Sequence, residues 1–125
     1  MPYNAWTVIV VDDTFDDRQV LSTMLKYYGV SVYATENGEE CRVLLSRLVP
    51  TLIITDLAMP GGDGWGVLET VRGNPATAQV PVVAVTSYHS TKLADEAING
   101  GFDAYFPKPL NPDSFLQELE AIIGG

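Results

Sequence analysis

Residues 52–64 read LIITDLAMPGGDG, a run of apolar and β-branched residues that ends in Asp56 and passes at once into a loop rich in glycine and proline. The opening four residues have the composition of a strand buried on both faces. A carboxylate at the tip of such a strand needs a partner, because burying an unpaired charge is heavily unfavourable. Either Asp56 turns out into solvent, or another part of the chain is built around it.

Two more stretches have the same short, apolar, β-branched look: TVIVV at residues 7–11 and PVVAVT at 81–86. Weaker strand patterns fall at 30–35 and 104–106. Amphipathic patterns alternate with them. Val20, Leu21, Met24, Leu25 and Tyr28 share one helical face, and Cys41, Leu44, Leu45 and Leu48 share the next. Val67, Leu68 and Val71 make a third stripe, and Leu93, Ala94, Ala97 and Ile98 a fourth. In the last helix Asn111 suits the N-cap and Pro112 the first turn, ahead of Phe115, Leu116, Leu119, Ile122 and Ile123. Five apolar strands alternating with five helices predict an α/β fold: a doubly wound, five-stranded parallel sheet with helices on both faces.

The chain has 125 residues, 46% of them hydrophobic, which suits one domain with a substantial core. Sixteen acidic residues against seven basic ones give a formal net charge of -9. Such a surface repels nucleic acid and anionic membranes, so neither is an expected direct partner. Cys41 is the single cysteine and sits in an apolar helical pattern, which reads as core. No run of 18 apolar residues occurs, and MPYNAWT has no basic segment leading into an apolar one. A soluble, cytoplasmic protein is expected.

In a doubly wound sheet, ligands bind beyond the carboxyl ends of the strands, where strand order reverses. The residues at those ends are Asp12 and Asp13, Asp56, and Thr86 with Ser87, while Lys108 follows the fifth strand. Three carboxylates, a hydroxyl and an ammonium should converge there. Crowded carboxylates repel one another, and a hard divalent cation, Mg²⁺ or alternatively Mn²⁺, relieves that repulsion. A carboxylate nucleophile beside such a cation and a lysine is equipped to form an aspartyl-phosphate. Asp56 is the best nucleophile, because the following PGGDG lets backbone approach a ligand closely.

Together VVDDTFDDR, LIITDLAMPGGDGWGVL, VVAVTS and DAYFPKPL resemble the receiver domain of two-component response regulators over residues 6–123. The resemblance implies that Asp56 is the phosphoacceptor, that Asp13, Asp56 and the Ala58 carbonyl ligate Mg²⁺, and that Asp12 acts mainly through metal-bound water. It implies further that Thr86 bonds the phosphoryl group, that Lys108 pairs with it, and that Tyr105 is an aromatic switch. Lys108–Pro109 is expected to be cis. A histidine kinase or histidine phosphotransfer protein is the implied donor, and an unidentified target protein the implied receiver of the signal. Beyond its own phosphorylation and dephosphorylation, no enzyme activity is expected. Ser87, Ala58 and Tyr88 depart from frequent receiver residues beside the phosphorylation pocket, which leaves the phosphoryl lifetime open.

Plainer roles compete at several positions. Asp12 and Asp13 could cap the first helix, although Asp16 and Asp17 suit that role better. Asp63 and Gly64 read as a turn and helix start. His89 reads as an exposed loop residue, and Trp6, Trp65 and Tyr88 as packing or partner contacts. Three other functions compete as well. An aspartyl-phosphate phosphohydrolase would want a second acid soon after Asp56, where Leu57 and Ala58 stand. A flavodoxin-like FMN carrier would want glycine and hydroxyls where DDTFDD stands. A degenerate receiver acting as a binding module would have lost an acid or the lysine. The chain ends soon after the fifth helix, whose surface offers Gln117, Glu118 and Glu120 and no arginine, so a stand-alone monomer or weak dimer is expected.

Overall fold

A computed structural model describes residues 3–124. The expected domain limits of 1–125 include Met1, Pro2 and Gly125, which lie outside the described residues. The elements in chain order are β1 (Thr7–Val11), α1 (Phe15–Tyr27), β2 (Ser31–Thr35), α2 (Gly38–Leu45), β3 (Leu52–Asp56), α3 (Asp63–Arg72), β4 (Val82–Thr86), α4 (Thr91–Asn99), β5 (Ala104–Pro107) and α5 (Pro112–Gly124). Short 3₁₀ turns at Tyr3–Ala5 and Pro60–Gly62 precede β1 and α3. The strands form one parallel sheet in the order β2-β1-β3-β4-β5.

Alternation along the central strands decides which helix packs where. Val8, Val10, Leu52, Ile54, Val83 and Val85 face α1 and α5, meeting Leu21, Leu25, Phe115, Leu116 and Leu119. Ile9, Val11, Ile53, Val82 and Ala84 face the other way, onto Cys41, Leu45, Val67, Leu68, Val71 and Ala97 from α2, α3 and α4. β1, β3 and β4 are therefore water-free on both sides, as their unbroken apolar runs require.

The edges differ from the sequence reading. β2 begins at Ser31 rather than at Val30, and Ser31, Tyr33 and Ala34 are exposed because this strand closes the sheet. Val20 and Ile98, assigned to the apolar stripes of α1 and α4, are 64% and 49% exposed. Helical phase alone could not tell the centre of a stripe from its margin. Neither Asp16 nor Asp17 caps α1. The N-cap is Thr14, whose side chain makes no cap bond, and both acids fall in the first turn, where the helix dipole favours them. Asn111 does cap α5, its Oδ1 accepting from Ser114 N at 3.1 Å.

Candidate functional site

The site lies at the carboxyl ends of β1, β3 and β5. The chain leaves β1 toward one face and β3 toward the other, opening a cleft between the two loops. Asp56 is the last residue of β3 and only 5% exposed. Its Oδ1 accepts from Ala58 N at 2.7 Å and its Oδ2 from the Lys108 ammonium at 3.0 Å. Behind it, the first turn of α3 presses on the strand end. A Cβ at Gly64 would stand 2.4 Å from the Asp56 carbonyl oxygen, so only glycine fits there. The glycine expected as a helix-start residue is therefore also what lets α3 buttress the Asp56 backbone.

Asp12 is 1% exposed. Its Oδ1 accepts from Thr14 N at 3.0 Å and its Oδ2 from Lys108 Nζ at 2.9 Å, while its carbonyl accepts from Arg18 at 2.8 Å. The Lys108 backbone N–H donates to the Thr86 carbonyl at 2.8 Å, which ties the residue to the end of β4, and the Lys108–Pro109 bond is cis, as expected. The ammonium also reaches Asp17 Oδ2 at 3.2 Å.

Three carboxylates thus share one ammonium, and Asp12, Asp17 and Asp56 each offer an oxygen within 4.8 Å of the others. Burial by itself would lower the pKa of Lys108, but the bonds and charges of Asp12 and Asp56 outweigh it and hold the ammonium above the usual lysine range. For Asp12 burial wins instead. Desolvation, helped by the charge of Asp56, raises its carboxyl pKa in spite of the bonds from Lys108 and Thr14. One positive charge against three negative ones leaves the group two charges in deficit. A second cation is the natural complement.

Asp13 is exposed and lies outside the trio, on the wall of a cleft of about 500 Å³ that also borders Asp17, Asp56, Ala58, Ser87 and Tyr88. Three of its lining residues, Asp13, Asp17 and Asp56, carry carboxylates, the hard oxygen ligands that Mg²⁺ takes. Asp13, Asp56 and the exposed Ala58 all line the cleft and suit such an ion. The three departures noted in the sequence, Ser87, Ala58 and Tyr88, all border this cleft.

Thr86 is fully buried, and its hydroxyl accepts from Tyr88 N at 3.0 Å. Ser87, not Thr86, borders the cleft. His89 is exposed in a loop, as expected, and the Tyr105 hydroxyl lies 3.1 Å from its Nδ1, with the rings 5.6 Å apart, so it is joined to the expected switch residue. Trp6 is 3% exposed in the core, and Trp65 meets Phe102 edge-on at 5.1 Å. Both are packing residues, whereas Tyr88 is 75% exposed at the cleft.

The sequence reading missed Asp17, which it took for a helix cap. The signal was present: Asp17 precedes the buried Leu21 by four residues, so it continues the stripe that faces the domain.

Comparison with known proteins agrees with this geometry. The model of the response regulator receiver domain matches residues 8–120. An uncharacterized 14.6 kDa protein from Leptolyngbya boryana is 36% identical over 90% of this chain and 86% of its own. A probable transcriptional regulator, ycf27 of Porphyra purpurea, is 33% identical over 93% of this chain, which spans 45% of the relative's length. The chemotaxis response regulator CheY4 of Vibrio cholerae superposes with a TM-score of 0.83 at 26% identity, covering 94% of this chain and 98% of that one. With its acids, lysine and cleft set on this sheet, the chain belongs to the response regulator receiver domain family.

Proposed function

We propose that the protein accepts a phosphoryl group on Asp56 from a histidine kinase or histidine phosphotransfer protein and passes the change to a target protein. The observation that carries this reading is the Asp56 carboxylate, held by Ala58 N and the Lys108 ammonium at a strand end beside an open cleft. Mg²⁺ held by Asp13, Asp56 and the Ala58 carbonyl, with Asp12 acting through water, would supply positive charge for the incoming phosphoryl oxygens. Lys108 does the corresponding work from the other side. It keeps its proton, because the acids around it hold its pKa up, and it can follow the charge from carboxylate to phosphoryl group.

The switch follows from a movement of the Thr86 hydroxyl, which is fully buried and holds Tyr88 N. As the hydroxyl moves to reach a phosphoryl group, the loop carrying Tyr88 and His89 moves with it. His89 is bonded to Tyr105, so the motion reaches the face made by α4, β5 and α5. The phosphoryl group drives this only through its better fit to the moved state. A complete set of acids and the lysine favours this over a phosphorylation-independent binding module, and no second acid stands close behind Asp56, where Leu57 and Ala58 follow, to serve a phosphohydrolase.

The test is phosphoryl incorporation from phosphoramidate with Mg²⁺, read by intact mass. Wild type should gain one phosphoryl group and Asp56→Asn none; equal incorporation in both removes Asp56 from the role. Thr86→Ala should still be labelled while the response at Tyr105 weakens.

A further inference from the structure

Asp17 is the member of the trio that the proposed reaction leaves without a task. Its Oδ2 stands 3.2 Å from Lys108 Nζ, and its side chain is 43% exposed, against 1% for Asp12 and 7% for Asp56. It is the carboxylate of the three that meets solvent. It also borders both the cleft over Asp56 and a neighbouring apolar cleft formed with Val20, Met24, Pro109 and Leu110. A molecule entering beside Asp56 comes under its field.

We infer that Asp17 is a specificity-determining residue: a fixed negative charge at the mouth of the site that selects the phosphoryl donor by net charge, against dianionic acyl phosphates and in favour of P–N donors whose leaving nitrogen is protonated. The inference rests on Asp56 being the phosphoacceptor. At neutral pH acetyl phosphate carries two negative charges, and phosphoramidate, protonated on nitrogen, carries one. With either donor an Asp56 oxygen forms the new bond to phosphorus. From acetyl phosphate the bridging P–O bond breaks and acetate leaves with the electron pair. From phosphoramidate the P–N bond breaks and ammonia leaves with the pair, its protons already in place. A phosphohistidine side chain, whose leaving nitrogen has no proton of its own, shares the single negative charge of the second class when its other ring nitrogen is protonated. Repulsion by Asp17 scales with donor charge, and partial exposure keeps it modest, at about threefold in rate per unit of donor charge.

The test compares both donors at saturating Mg²⁺ with wild type, Asp17→Asn, Asp17→Glu and Asp56→Asn, at low and high ionic strength. Asp17→Asn should raise the acetyl phosphate rate about tenfold and the phosphoramidate rate about threefold. The preference for phosphoramidate then falls about threefold, by the ratio of those two changes. Asp17→Glu should keep the wild-type preference, and raising the salt should narrow the difference in preference between wild type and Asp17→Asn. An unchanged preference in Asp17→Asn, or an Asp17→Glu that matches it, overturns the inference and leaves the assignment of Asp56 standing. Labelling that persists in Asp56→Asn, or is absent from wild type with both donors, removes the phosphoacceptor reading and this inference with it.

Discussion

Gly64→Ala tests how tightly the fold holds the phosphoacceptor. The added Cβ would stand 2.4 Å from the Asp56 carbonyl oxygen and 3.0 Å from the Leu57 Cα. Since real Cβ contacts stay beyond 3.0 Å, α3 and the end of β3 must part by at least 3.0 − 2.4 = 0.6 Å. Both sides of the clash are backbone, so no rotamer relieves it, and the cost should reach about 3 kcal/mol, the upper part of the range for overpacking. For a domain of this size that is a fall of about 10 °C in Tm. A misplacement of about 1 Å can cost a hundredfold in rate, so a shift of 0.6 Å should slow phosphoryl incorporation about tenfold. Gly66→Ala is the matched control. It lies in the same helix with nothing within 4 Å of its would-be Cβ, and should gain about 0.5–1 kcal/mol from helix propensity with the rate unchanged. Urea unfolding followed by tryptophan fluorescence gives the stabilities, and phosphoramidate labelling gives the rates. If Gly64→Ala matches wild type in both, the close approach of α3 does not position Asp56.

Three other outcomes follow from the same structure. Lys108→Met strands three carboxylates and should destabilise by about 3 kcal/mol at neutral pH. Because the folded pKa of Lys108 is raised, its stabilisation is full below the ordinary value of 10.5 and declines as pH climbs toward the folded value, so the wild-type advantage in urea should shrink above that point; a constant gap would contradict it. Cys41 is 1% exposed and burial pushes its thiol pKa up to about 12, so a thiol reagent at pH 8 should react only as the chain unfolds, and rapid stoichiometric labelling of native protein would exclude this packing. Ser22 Oγ in α1 is buried with no hydrogen-bond partner among the described residues, so Ser22→Ala should raise stability by about 1 kcal/mol, and a loss of that size in urea would refute the assignment.

The central strands were legible because burial on both faces leaves a one-dimensional trace: TVIVV, LIIT and VVAVT need no partner to be recognised, and β1 fell on Thr7–Val11 as read. Asp12, Asp56 and Lys108 were found because the strand-end rule converts sequence position into a place on one rim. The edge was harder. β2 shows a broken apolar pattern, which reports exposure rather than pairing, so its first residue was misplaced.

What the chain's order of residues determines by itself is the set of elements, their alternation and the chemistry waiting at the strand ends. What tertiary structure decides is which of four acids in DDTFDD reach the lysine, and the answer is Asp12 and Asp17 rather than Asp13. Likewise only packing joins His89 to Tyr105 and sets Gly64 against the Asp56 carbonyl. The physical reason is common to all of these: they depend on distances between residues far apart in the chain, fixed by strand register and helix docking to within an ångström, whereas pattern along a sequence records only local burial and period.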